Sequence, residues 1–194
     1  MFVNRYTPLV VSALLMIVAA WVGHDYYTGF EDYVRFMVRE TAYVSTTFFL
    51  LAYWARPLLV VTGNAVARGL VRVRRQIGLA AALAHTVHFG AVVSLFRFTG
   101  ESVDPVTFIF GGLGFVMFWV MALTSNDASV RVLGATWKHI HRFGIHYIWI
   151  IFMQTYLGDV ARSPVYWVFV ALLGGGLVLR IALYARSRRV MAAP

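Results

Sequence analysis

Long apolar runs separated by short charged clusters set the pattern of this chain. Six runs of roughly 17 to 25 residues, the length a helix needs to cross a hydrocarbon core of about 30 Å, fall near Thr7–Gly23, Thr41–Ala55, Ile77–Phe96, Val106–Leu123, Ile140–Leu157 and Pro164–Leu183. The pattern predicts an all-α integral membrane protein, residues 1–194 forming a single domain of six transmembrane helices. The second run is short and is expected to stop at Arg56-Pro57, where a charge meets a residue that lacks a backbone N–H. The first is read as a retained helix, because bulky Trp21, His24, Tyr26 and Tyr27 stand where a signal peptide would carry small residues. In the connection that follows it, Phe30, Tyr33, Val34 and Met37 share one helical face opposite charged neighbours, which predicts a short interfacial helix. No connection is long enough for a flavin or nucleotide domain, and no phosphate-binding glycine pattern is present. The Gly111-Gly112-Leu113-Gly114 and Gly174-Gly175-Gly176 stretches lie inside spans and are expected to let helices approach closely.

Composition and charge sharpen this picture. With 60% hydrophobic and 13% charged residues, and a mean hydropathy of +0.73, a water-soluble domain is excluded. Of 17 basic residues only Lys138 is a lysine, and only 8 residues are acidic. Sorting them by connection puts 13 basic residues and the single acid Asp127 on the side of both termini, and four basic residues with seven acids on the other. By the positive-inside rule both termini are cytoplasmic. The excess of arginine is thereby an orientation signal, and no nucleic-acid partner is needed to explain it. The absence of cysteine excludes disulfides, thiolate metal sites and iron–sulfur ligation.

Histidine is the remaining metal-ligating residue of note. Of six, His24 lies at an outer boundary, and the other five fall on two spans: His85 and His88 on the third, His139, His141 and His146 on the fifth. Ionisable side chains inside a bilayer are costly and mark functional sites. Imidazoles on facing helices of a bundle suit the axial positions of a haem. Structural alternatives stay open, since a buried imidazole can simply donate to a backbone carbonyl. Measured from the basic inner edge at a rise of 1.5 Å per residue, His85 and His88 lie roughly 15 and 20 Å up, and His141 and His146 roughly 5 and 12 Å up. By height alone His85 pairs best with His146.

Two segments carry a family resemblance. Arg74-Arg75-Gln76-Ile77-Gly78-Leu79 with His88 fourteen positions after Arg74, and Ala122-Leu123-Thr124-Ser125-Asn126-Asp127 followed by Arg131-Val132-Leu133-Gly134 and Trp137-Lys138-His139-Ile140-His141-Arg142, resemble the ferric-reductase-like transmembrane family. The resemblance spans roughly residues 40 to 157. It implies a six-helix membrane domain that binds b-type haem and passes electrons across the bilayer, with His88 and His141 at ligand positions. The family's second fifth-helix histidine, thirteen residues after the first, is here Gln154, so His88 loses its usual partner. The expectation is then one haem b held by His85 or His88 with His146 or His141. Two other outcomes remain open: a five-coordinate haem on His88, or none. Arg131, Lys138 and Arg142 are placed to meet haem propionates or simply to obey the positive-inside rule.

The function expected is that of a membrane b-type cytochrome subunit of a bacterial-type inner (cytoplasmic) membrane. It would relay electrons between a quinol or a separate reductase and an outer-face acceptor, with a protein redox partner completing the oxidoreductase and a quinone as a second candidate ligand. The alternative is a non-redox structural subunit of a larger membrane complex that keeps the scaffold without haem. A transporter is disfavoured, because the spans hold almost no carboxylates for an ion relay. Ser125, Asn126 or Asp127 is also expected to cap a short helix over residues 128–133, with Gly134 ending it.

Overall fold

The computed structural model describes residues 4–102 and 104–192, which form eight helices. In chain order these are α1 (Thr7–Tyr26), α2 (Phe30–Thr62), α3 (Ala65–Arg72), α4 (Arg74–Thr99), α5 (Pro105–Leu123), α6 (Asp127–Leu133), α7 (Ala135–Gly158) and α8 (Pro164–Ala192). Five of them, α1, α2, α4, α5 and α8, are long and apolar enough to cross a bilayer. The 24-residue α7 spans about 36 Å, but Lys138, His139, His141 and Arg142 crowd its first two turns and set it apart in polarity. The protein is a multi-pass, all-α membrane protein. Its surface bears this out, since large apolar side chains such as Ile17, Trp21, Phe108, Ile109 and Val168 are exposed around the bundle.

At the centre α2 lies against α4. The face α4 presents is built of small residues, with Ala80, Ala81 and Ala84 almost fully buried, which lets the two backbones approach closely. Hydroxyls bind the helices where apolar packing alone would leave them free to slide. Ser12 of α1 donates to the Ala80 carbonyl (3.0 Å) and Ser45 of α2 to the Ala81 carbonyl (3.3 Å). Between α2 and α7 the core becomes aromatic: Phe49 meets Phe152 edge-on at 5.3 Å, and the Thr46 and Tyr156 hydroxyls bond at 2.7 Å. Helix α5 touches α4 and α7, and α8 touches α2 and α7.

Two expectations need correction. The second span does not stop at Arg56-Pro57, because α2 runs through Pro57 to Thr62. A proline at position 57 deprives the Tyr53 carbonyl of its intrahelical N–H, and the Arg180 guanidinium from α8 donates to that carbonyl instead. A neighbouring helix thus satisfies the group the proline frees, and the helix continues. Nor is the Phe30–Met37 stretch a separate interfacial helix, since it forms the first turns of α2 with Glu31 and Asp32 at the positive end of the helix dipole.

The glycine clusters divide. Nothing lies within 4 Å of where a side chain would project from Gly111 or Gly112, whereas a Cβ on Gly114 would meet Ile151 of α7 at 3.5 Å. In α8 the fit tightens along the triplet: a Cβ would be 3.8 Å from Met153 at Gly174, 3.5 Å from Trp54 at Gly175 and 2.9 Å from Tyr53 at Gly176.

Candidate functional site

The histidines separate into a packed pair along α4, the outer pair, and a second pair on a cleft at the end of the bundle where α4 and α7 begin, the inner end. On α4, His85 is buried and His88 half-buried, with ring centroids 5.3 Å apart. Both rings turn Nδ1 toward α2. His88 Nδ1 lies 3.0 Å from the Val38 carbonyl and 3.3 Å from the Thr41 hydroxyl, and His85 Nδ1 lies 3.3 Å from the Ser45 hydroxyl. Such anchoring orients a ring and leaves Nε2 free, as the partners of ligating histidines do. Aromatic rings crowd His85: Phe118 lies tilted against it at 4.4 Å, and Phe152 of α7 meets it edge-on at 5.9 Å. Gln154, at the position of the missing histidine, is exposed.

The inner end of the bundle opens into a cleft of about 480 Å³, within the roughly 300–1,000 Å³ of small-molecule and cofactor sites. Its walls bring together Arg74 and Arg75 of α4, Trp137, His141, Arg142 and His146 of α7, and Arg180 of α8. His141 packs on Trp137 at 4.0 Å and its Nε2 lies 2.9 Å from the Thr124 hydroxyl. Trp137 Nε1 in turn donates to the Thr124 carbonyl (2.8 Å). The ring of His146 is exposed, with Nδ1 2.7 Å from the Arg142 carbonyl one turn back. Thr124 and Trp137 both come from the segments that carried the family resemblance, so their spacing serves first to fix His141.

Just beside the cleft, α6 forms as expected. Asn126 is the cap that takes the Ser129 N–H (2.8 Å), and Gly134 closes the helix. Asp127 pairs with Arg75 at 2.5 Å, and the Arg75 guanidinium beside it holds this carboxyl below the usual carboxylate range.

Charge distinguishes the cleft. Among the described residues no carboxylate lines it, and Arg74, Arg142 and Arg180 have no acidic partner among them. Arg74 donates to the Ala52 carbonyl (2.9 Å) and Arg180 to that of Tyr53, while Arg180 Nε is buried with no acceptor. A buried guanidinium donor left unpaired in this way calls for an acceptor, which an anion would supply.

The inner cleft thus offers the chemistry a haem uses, imidazole on α7 and cationic side chains able to meet two propionates. At the α4 pair, by contrast, the rings of Phe118 and Phe152 lie against His85. Of the expected site residues, His141, His146 and Arg142 are brought together, whereas His85 and His88 stand apart from them. Among the described residues no cluster of three or more His, Asp or Glu is placed to hold a bare metal ion. Arg131, Lys138 and His139 are exposed and outside the lining. Sequence reasoning missed Arg74 and Arg180 as cleft walls because both had been absorbed into the orientation count; the available signal was an arginine standing alone in the apolar run Leu177-Val178-Leu179-Arg180-Ile181.

The chain is 28% identical over 151 residues, covering 72% of it and 70% of the relative, to the protein-methionine-sulfoxide reductase heme-binding subunit MsrQ of Bordetella pertussis. The same identity and coverage hold for the proteins of that name from Bordetella parapertussis and Bordetella bronchiseptica. No protein-family profile matches the chain. No solved structure matches it significantly.

Proposed function

We propose that this chain is a haem-binding, electron-transferring membrane subunit of the MsrQ kind, within the ferric-reductase-like family, serving a methionine sulfoxide reductase system. In this reading six helices, α1, α2, α4, α5, α7 and α8, cross a bacterial inner membrane with both termini cytoplasmic, and one b-type haem occupies the inner cleft. The observation that carries it is the meeting of His141 and His146 with Arg74, Arg142 and Arg180 in a cleft that holds no carboxylate. When bound, the haem supplies the one-electron redox centre that no side chain of this cysteine-free protein provides.

The chain's own residues do the rest. Trp137 and Thr124 fix the His141 ring, and the Arg142 carbonyl orients His146. The arginines offset the carboxylate charge, and α5 and α7 keep water from the buried edge. Electrons enter from a quinol or a separate reductase and leave to a protein acceptor on the outer side, where catalysis on the final substrate takes place. In this reading His85 and His88 serve as hydrogen-bonded packing between α2 and α4, which the Phe118 and Phe152 rings against His85 support.

The test is optical. Purified protein is expected to show a Soret band and reduced α/β bands at one haem per chain. His141→Ala should remove or shift them, while His88→Ala and His24→Ala leave them in place. Loss of the spectrum in His88→Ala with retention in His141→Ala would place the haem at the outer pair and overturn the assignment. A well-folded but colourless protein would point to the accessory-subunit alternative, which the closure around His85 favours.

A further inference from the structure

The two arginines that reach deepest into the cleft are suspended from adjacent carbonyls of α2, and the reason lies in Pro57. Without an N–H at position 57 the Tyr53 carbonyl has no partner in its own helix, and it becomes an acceptor that draws the Arg180 guanidinium across from α8. Arg180 then lies over the Tyr53 ring, its central carbon 4.0 Å from the ring centroid. The neighbouring Ala52 carbonyl receives Arg74 Nε at 2.9 Å. Two cations from different helices are thus held side by side in the inner end of the bundle, with neither given a carboxylate and Arg180 Nε left unpaired in the interior. Like charges converge here at a cost in Coulomb energy and desolvation that two carbonyls and one aromatic face offset only in part. An arrangement of that kind is retained where a ligand brings the missing negative charge.

We infer that Arg74 and Arg180 form a clamp for the paired carboxylates of the haem, and that Pro57 is the positioning residue that aims Arg180 into it. This rests on the reading of the cleft as the haem site. The juxtaposition is a property of the tertiary structure, for the three residues are separated along the chain and only the approach of α8 to the proline of α2 joins them.

The experiment uses the full-length protein in mild detergent and follows two quantities: the rate of haem transfer to excess apomyoglobin, and the reduction potential by optical titration. Arg180→Gln should speed haem transfer by about ten- to a hundredfold, the equivalent of one charged hydrogen bond. It should also lower the potential, since removing a cation favours the oxidised, more positive haem. Arg180→Lys, which keeps the charge and loses the planar fork, should recover most of the potential while transfer stays fast.

Pro57→Ala restores an N–H to Tyr53 and preserves helix α2, so it reads out positioning even if position 180 tolerates no change. It should shift both quantities in the direction of Arg180→Gln by a smaller factor, and add nothing when combined with that substitution. Wild-type potential and transfer rate in both Arg180→Gln and Pro57→Ala would overturn the clamp while leaving the haem reading intact. An additive double variant would overturn the role given to Pro57. Wild-type protein without a Soret band would defeat the underlying reading and the clamp with it.

Discussion

Gly174, Gly175 and Gly176 are indistinguishable in sequence, yet replacing each by alanine should give sharply different results. A methyl group at Gly176 would stand 2.9 Å from Tyr53 Cε1 and 3.0 Å from both Tyr53 Cδ1 and Trp54 Nε1, about 0.5 Å or more inside the ~3.5–4.0 Å at which carbon atoms pack best. Tyr53 has no room to retreat, because it is fully buried with Phe49 stacked at 5.5 Å and Arg180 over its ring. Overpacking of this kind costs about 1–3 kcal/mol. Against it stands the gain of about 0.8–1.0 kcal/mol when alanine replaces glycine inside a helix, but that gain is common to all three positions. It cancels in the difference. Gly176→Ala should therefore be less stable than Gly174→Ala by about 1–3 kcal/mol, with Gly175→Ala close to Gly174→Ala, since their new methyls would meet neighbours at 3.5 and 3.8 Å. Thermal unfolding in detergent, followed by circular dichroism, reads the difference as a melting temperature lower by roughly 2–12 °C for a chain of this size. The strained contact also pushes α8 away from α2, so any bound haem should be lost at a lower temperature in Gly176→Ala alone. Equal stability of the three variants, or a Gly174→Ala protein weaker than Gly176→Ala, would refute the close approach of α8 to α2.

Further outcomes follow from the same packing. Thr46→Val removes the 2.7 Å bond to the Tyr156 hydroxyl but leaves that hydroxyl the Ala42 carbonyl at 3.3 Å, so it should cost about 1 kcal/mol, measured by the same unfolding transition. The Arg75–Asp127 pair should make α6 sensitive to acid. Because the native Asp127 carboxyl titrates below its ordinary value, its contribution is fully present above the unfolded carboxylate value near ~3.9 and disappears as pH falls through the lower native one. Hydrogen exchange of α6 amides between neutral pH and pH 3 reports this, and Asp127→Asn should abolish the pH dependence while leaving the bundle folded.

The amino-acid sequence by itself determined much of the local structure. Apolar run length gave the long helices, because a bilayer-spanning helix must satisfy every backbone group within its own segment and so writes its length into composition. Asn126 and Gly134 bracketed α6 for an equally local reason, a side-chain oxygen at one end and a left-handed backbone at the other. What sequence spacing could not reach was everything set by one helix meeting another. Heights along two helices paired His85 with His146, but rotation about each axis decides contacts, and α7 turns Phe152 rather than a histidine toward His85. Pro57 read as a stop because its missing N–H is a local fact, while the guanidinium of Arg180 that compensates it arrives from 123 residues further along the chain. Arginines counted one by one gave an expected orientation and no site, and only the tertiary structure gathered Arg74, Arg142 and Arg180 about His141 and His146. Local chemistry is legible in a sequence because it acts between neighbours in the chain, and a site built from several helices exists only once packing has chosen which faces meet.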